Sequence, residues 1–326
     1  MPATTPTWDP AQYLRHAGHR ARPFTDLLAR VHDLPADRPR IADLGCGPGN
    51  ATVLLADRWP AARITGYDNS PQMLDRARRH AGPTSGGGHL DFAVADARTW
   101  SPDEPVDLLV SNATLQWVPG HADRFPDWID RLAPGGTLAL QVPGNFDAPS
   151  HRLMRELAGS RRWRHRLDGV LRHDDAVLTP QGYLAHLTAA GCTADVWETT
   201  YVHLLPGEDA VLDWVKGTGL LPVLDALDDD PPARDAFVEE YRAVLRAAYP
   251  AEAHGTPFPF RRVFAVARKP EGAAGGGGAE AAGAAGGGGA EAPGAAEGGR
   301  SGEAAGAAAR GPGEAAGAAG RAVGER

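Results

Sequence analysis

Cysteine is almost missing: Cys46 and Cys192 are the only two in 326 residues. That excludes a disulfide framework and a cysteine zinc cluster. No apolar run approaches the ~20 residues a membrane helix needs. The first residues, Met-Pro-Ala-Thr-Thr-Pro-Thr-Trp, lack the basic stretch followed by an apolar one that marks a secretory leader. A basic excess is absent too, the net charge being −8, which argues against a nucleic-acid groove. A cytoplasmic protein with no nucleic-acid or membrane partner is the expectation.

Aromatic residues vanish altogether after position 270, where the chain becomes almost wholly Gly, Ala, Glu and Arg. Such a segment cannot bury enough apolar surface to offset the entropy of ordering. Residues 271–326 are therefore expected to be a disordered tail. Seven Glu against four Arg give it −3 and leave −5 on the rest. The preceding 270 residues suffice for one large domain with insertions.

What is present is concentrated in Arg40–Asn50, Arg-Ile-Ala-Asp-Leu-Gly-Cys-Gly-Pro-Gly-Asn. A short apolar run reads as a buried strand, a turn holds Gly45, Gly47 and Gly49, and helix-compatible residues follow. Strand, glycine turn and helix open a nucleotide-binding βαβ unit. Glycine permits backbone angles closed to other residues and lets a ligand lie against the main chain. A dinucleotide fingerprint would need glycine at position 50, where Asn50 stands. The match is instead to an acidic residue, Asp43, followed by alternating glycines. A carboxylate beside a pyrophosphate would repel it, so Asp43 suits a cationic or hydroxyl-rich ligand. This pattern resembles that of class I S-adenosylmethionine (SAM) methyltransferases; an ordinary tight turn is the plainer alternative.

Strands and helices alternate along the chain. The strands expected are Arg40–Leu44, Arg63–Asp68, Leu90–Ala95, Val106–Ser111, Thr137–Val142, Thr193–His203 and Arg262–Arg268, with helices at Ala51–Trp59, Pro71–His80, about Asp123–Leu132 and Thr179–Ala190. Regular alternation implies an α/β fold, a doubly wound, mostly parallel sheet covered on both faces; seven strands are expected. Its core is assigned to 36–145, 179–204 and 260–268. Helical insertions at 148–178 and 206–250, the second broken near Pro222 and Pro231, are expected to fold over the sheet's open edge as a lid.

Ligands of open parallel sheets sit beyond the carboxyl ends of the strands. Asp68 ends the second strand, spaced to accept both ribose hydroxyls of a nucleoside; it could equally favour the N-terminus of the Pro71 helix. Asp96 follows the third and suits either an adenine amino group or a simple turn. Asn112 ends the fourth, with Gln116 and Trp117 after it, where a methyl donor would meet its acceptor; core packing is the alternative for Trp117.

Several further segments are more specific. Trp8-Asp9-Pro10 with Tyr13, Arg20-Ala-Arg22-Pro23, Asp43–Asn50, Trp59–Gly66, Asn112–Trp117, Trp197–Tyr201 and Asp213-Trp-Val215 together resemble trans-aconitate 2-methyltransferases, over about Trp8–Arg268. The resemblance implies a Rossmann-like fold, SAM as cofactor, and methyl transfer to a carboxylate of trans-aconitate, giving a monomethyl ester. Two positions depart from the pattern: Leu221 stands where the family commonly has arginine, and His19 where an acidic residue is usual. Another small acceptor, or a non-catalytic SAM-binding module, are the competing readings; a nicotinamide dehydrogenase is disfavoured by Asn50.

A carboxylate with a reference pKa near ~4 is ionised at neutral pH, so such a transfer needs no general base. No catalytic acid, base or metal ligand is expected, and His203 reads as structural. Alignment is the requirement. A polyacid needs cations and donors, and arginine can hold a carboxylate through two parallel hydrogen bonds. Arg20, Arg22, Lys216, Arg261 and Arg262 are the cations near the open edge, with Arg22 and Arg261 preferred. Tyr13, Gln116, Trp117 and Tyr201 complete the expected substrate contacts, with Trp214 as a shaping residue.

Overall fold

The computed structural model describes residues 17–171 and 176–272. Tyr13, Trp8 and almost all of the expected tail lie outside these, as does the side chain of Arg20.

Eight strands form one sheet: β1 (Arg40–Leu44), β2 (Arg63–Asp68), β3 (Gly82–Pro83), β4 (His89–Val94), β5 (Val106–Asn112), β6 (Leu132–Pro143), β7 (Thr193–Leu205) and β8 (Thr256–Arg268), in the order β3-β4-β2-β1-β5-β6-β8-β7. The expected count of seven is corrected by β3. This two-residue strand pairs antiparallel with His89 and Leu90 at the edge, too short to carry a periodicity signal. From β4 to β6 all pairings are parallel; β8 runs antiparallel to both its neighbours.

Ten helices are described: α1 (Ala17–Leu28), α2 (Val53–Arg58), α3 (Pro71–Ala77), α4 (Phe125–Asp130), α5 (Pro149–Ala158), α6 (Arg164–Leu167), α7 (Pro180–Ala189), α8 (Ala210–Lys216), α9 (Leu221–Ala226) and α10 (Pro231–Ala248). Local chemistry sets their starts. Ser70 Oγ accepts from Met73 N, Thr179 Oγ1 from Gly182 N and Asp230 Oδ1 from Ala233 N, each ahead of a proline in the first turn. Gly191 follows α7 at φ +83°, a conformation that ends helices at small cost for glycine.

Adjacent β5 residues show the two-faced sheet. Leu109 packs with Leu44, Leu140, Phe125, Trp128 and Tyr183 on one side, whereas Leu108 and Val110 pack with Phe24, Leu27, Leu55 and Leu74 on the other. Period-two alternation puts neighbours on opposite faces. Beyond β6 the β7–β8 pair continues as an arm: of β8, only Arg262–Arg268 pair with β6, while β7 follows β8 to Thr256. Leu205, Phe258 and Phe260 on this arm share a third core with Met154, Trp163, Trp214, Phe237 and Tyr241 from the helical insertions. Among the described residues no helix is long and apolar enough to cross a membrane.

Candidate active site

The turn after β1 is held by main-chain bonds to the next strand, Gly45 N and Cys46 N donating to Tyr67 O at 2.7 and 2.9 Å. Gly45, Gly47 and Gly49 have φ of +80°, +55° and +79°. They serve different ends. A Cβ on Gly45 would fall 2.1 Å from Thr114 Oγ1, and one on Gly49 would fall 2.9 Å from Phe92 Cζ, so close packing demands both glycines. A Cβ on Gly47 would meet nothing within 4 Å. That face of the turn is open.

Asp43 lies under the turn, 3% exposed, and accepts from Thr52 Oγ1 at 2.7 Å. Burial pushes its carboxyl up to about 7, against the bond from Thr52 and with help from the charge of Asp68. Asp68 accepts from Gly47 N at 2.9 Å and from Ser70 N at 2.8 Å. Burial raises its pKa too, and those backbone donors oppose the rise. Asp96 instead accepts from the backbone and guanidinium of Arg98, and the Arg98 side chain, foremost, holds it below the usual carboxylate range.

A cavity that is partly open to solvent adjoins the carboxyl ends of β5 and β6. Asn112, Gln116 and Trp117 line it from β5 and the following 3₁₀ turn, Asn145 from the segment after β6, Trp214 from α8, and Arg262 from β8. Ala113 has φ +54°, rare for a residue with a Cβ. Its N–H donates to Gln141 O at 2.8 Å, and its carbonyl accepts from Gln116 Nε2 at 2.6 Å. Both bonds hold the kink that turns Gln116 and Trp117 back toward the sheet.

Arg261 and Arg262 point differently. Arg262 is 5% exposed, donates from Nη1 to Gln141 Oε1 at 3.2 Å, and stands 4.6 Å from the Phe260 ring centroid. Arg261 donates to Gly144 O and pairs with Glu198 and Asp147, and it does not line the cavity. Nor do Arg22 and Tyr201. Tyr201 OH donates to Asp26 at 2.6 Å, while Arg22 sits beside Asp26 and 5.1 Å from the Tyr201 ring centroid. His203 is buried and stacks on Trp214 with ring centroids 5.0 Å apart.

Residues 41–136 match a family described as a methyltransferase domain. A protein of Streptomyces coelicolor named trans-aconitate 2-methyltransferase is 90% identical over 272 residues, 83% of this chain and 90% of its own. A second of that name, from Streptomyces avermitilis, is 72% identical over 82% of this chain and 99% of its own. A third, from Mycolicibacterium gilvum, is 49% identical over 80% and 98%. The chain belongs to the trans-aconitate 2-methyltransferase family.

SAM is the cofactor of this methyltransferase. Its chemistry fits the residues present. The turn offers an uncovered main-chain face at Gly47, with a carboxylate at the end of the next strand. Asn112 Oδ1 is buried and has no donor among the described residues, an acceptor matched to a cationic ligand. Two features of this family member escape sequence reading, and a third, Arg262, is among the cations the sequence offers but is ranked there behind Arg261. Ala113 carries no glycine to advertise its backbone. Asn145 is one polar residue in a loop. Arg262 differs from Arg261 only by strand phase, which the alternation of Phe258 and Phe260 with Pro257 and Pro259 could have fixed.

Proposed function

We propose that this chain transfers the methyl group of SAM to a carboxylate of trans-aconitate, giving the monomethyl ester and S-adenosylhomocysteine. The observation that carries the reading is identity of 90% and 72%, over most of the chain, to proteins named for that reaction. A cavity lined by both an arginine and amides, beside an open glycine turn, supports it.

In this reading Gly45, Gly47 and Gly49 cradle the cofactor, Asp43 fixes the turn from beneath through Thr52, Asp68 accepts its ribose hydroxyls and Asp96 its adenine amino group. Asn112 turns an acceptor oxygen toward its positive end. Bound there, SAM supplies an electrophilic methyl group. Gln116 and Trp117 border the acceptor, and Tyr13 is a further contact from the sequence. Tyr201 and Arg261 act at a distance from the acceptor, since protein acceptors engage their donors, whereas Arg22, largely exposed and 3.9 Å from Asp26, keeps donors for an incoming polyacid. The acceptor carboxylate is already ionised at neutral pH, so no residue need remove a proton. Holding it in line is the work of the cavity wall, and such positioning can supply roughly 7–11 kcal/mol. Residues 1–270 form the catalytic unit, with 148–178 and 206–250 as the lid over the acceptor, and the reaction is placed in the cytoplasm. Leu221, in place of the family's usual arginine, keeps a second reading in view: methylation of another small acid.

The test is a mass spectrum of the product from SAM and trans-aconitate. A single base-labile methyl addition is expected; no ester with trans-aconitate, alongside one with a different acid, selects the second reading.

A further inference from the structure

Resting on the methyl-transfer reading above, we propose that Asn145 and Arg262 together form the anchor for a carboxylate of the acceptor that does not react. The starting point is Asn145, which is 3% exposed and lines the cavity. The backbone N–H of Arg261 donates to its Oδ1 at 2.7 Å, which fixes which end of the amide is which. Its Nδ2 is buried and has no acceptor among the described residues. A buried donor left unmatched costs about 1–3 kcal/mol. Native proteins carry few such groups, and each calls for a cause. A ligand acceptor is the cause that the location supplies.

Arg262 stands next to it. Pro143 and Arg262 are paired across β6 and β8, and the chain reaches Asn145 two residues later. Gly144 N donates to Arg261 O at 2.9 Å, which ties the segment to the strand edge. The guanidinium of Arg262 is oriented by Gln141 Oε1 on one side and by the Phe260 ring on the other. An oriented cation and a neutral N–H donor on one wall are the complement of a carboxylate.

The anchored carboxylate is a non-reacting one. Tight pairing lowers the nucleophilicity of a carboxylate oxygen, whereas binding energy from a remote group can be used to align the reacting one. The reacting carboxylate then lies toward Asn112, whose bare oxygen repels anions and so leaves it loosely held. Arg261 becomes a positioning residue that acts through its main chain: its N–H orients Asn145, and its side chain binds Glu198 and Asp147 away from the cavity.

The experiment uses the full chain, wild type against Asn145→Asp, Asn145→Ser and Arg262→Gln, with trans-aconitate and with its two mono-carboxamides at the unmethylated positions. Asn145→Asp keeps an oxygen for the Arg261 N–H and replaces the donor by a negative charge. At least a tenfold fall in kcat/KM for trans-aconitate is expected, mostly through KM. The preference for the acid over one of the two carboxamides should shrink, because a neutral amide can donate to the new carboxylate. Affinity for SAM by calorimetry should stay within twofold, which also reports the fold; if Arg262→Gln loses it, the two Asn145 variants decide. Wild-type KM in the Asn145 variants, or a parallel loss for acid and both carboxamides, overturns the anchor. A wild type that makes no ester overturns the reaction proposed above instead. The anchor is then read from calorimetric binding of trans-aconitate, where wild-type affinity in both Asn145→Asp and Arg262→Gln overturns it.

Discussion

Replacing Gly47 by alanine separates a ligand's need for space from the fold's. The residue sits at φ +55°, and a Cβ there meets nothing within 4 Å. The protein therefore bears only the backbone cost of an L residue in the left-handed region, about 1–2 kcal/mol. In a domain of this size that lowers Tm by roughly 2–8 °C. The added methyl group projects from the open face of the turn, where SAM is proposed to lie. Affinity for SAM should fall at least tenfold, which is about 1.4 kcal/mol. Gly45→Ala is the control for packing. Its Cβ would meet Thr114 Oγ1 at 2.1 Å, and Thr114 in turn donates to Gly45 O at 3.1 Å, so Tm should fall further than in Gly47→Ala. Scanning calorimetry and titration with SAM read both effects. A Gly47→Ala variant that binds SAM within twofold of wild type refutes the cradle, and a Gly45→Ala variant that melts no lower than Gly47→Ala refutes the packing argument.

Asp43 gives a pH dependence with a defined sign. Its carboxyl holds a proton up to about 7 in the folded state against a reference of 3.8, so its contribution is full below the reference value and is lost as pH rises toward 7. Asp43→Asn keeps an oxygen for Thr52 and should remove that decline from Tm measured between pH 4 and 8; parallel profiles for wild type and variant exclude it. Tyr201→Phe deletes the donor to Asp26 and should cost about 1.5 kcal/mol in urea denaturation, with an unchanged midpoint counting against the bond. Ala113→Val puts a branched side chain at φ +54° and should destabilise by at least ~1–2 kcal/mol, whereas Ala113→Gly should melt close to wild type; equal melting of all three would show that the kink relaxes freely.

Much of the sheet was legible because its signals are local. β1 and β5 are short, largely apolar runs, β2 and β5 end on the polar Asp68 and Asn112, and Ser70, Thr179 and Asp230 cap helices in the way their side chains dictate. The outer part of the β7–β8 arm was only half legible: β7 runs two residues past its expected end, whereas β8 begins at Thr256, six residues before the expected Arg262. That part is stabilised by Trp214 and Phe237, which come from distant stretches of the chain, rather than by a third strand. Helix α1 was hidden for a similar reason: Pro23 lies within it, and Phe24 and Leu27 are fixed by packing against Leu55 and Phe264 on the sheet. The turn after β1 is encoded by its own glycines and so could be read directly as a turn. The cavity at the ends of β5 and β6 is built by tertiary neighbours: the alternation of Phe258 and Phe260 with Pro257 and Pro259 tells Arg262 from Arg261, but only the pairing of Pro143 with Arg262 puts it beside Asn145.

The reaction proposed needs no proton transfer, and that shapes what the site must contain. A transferable methyl group carried by a cation must meet an anion that is already charged. The problem left to the protein is orientation, with the two partners facing the right way. Two buried groups of opposite polarity on one cavity meet that need. Asn112 offers an oxygen without a donor, and Asn145 offers a nitrogen without an acceptor. Each is unfavourable alone, because an unmatched buried polar group is costly. Together they favour a cation at the end of β5 and an anion beside β8, and they disfavour the reverse. An acceptor with no second carboxylate loses the Arg262 and Asn145 contacts. The same reasoning accounts for the strain at Ala113: the left-handed kink directly follows Asn112, and its bonds to Gln141 and Gln116 keep Asn112 in register with Gln141, the residue that also orients Arg262. Cofactor end and acceptor end are thus aligned through a single strand pair, β5 with β6.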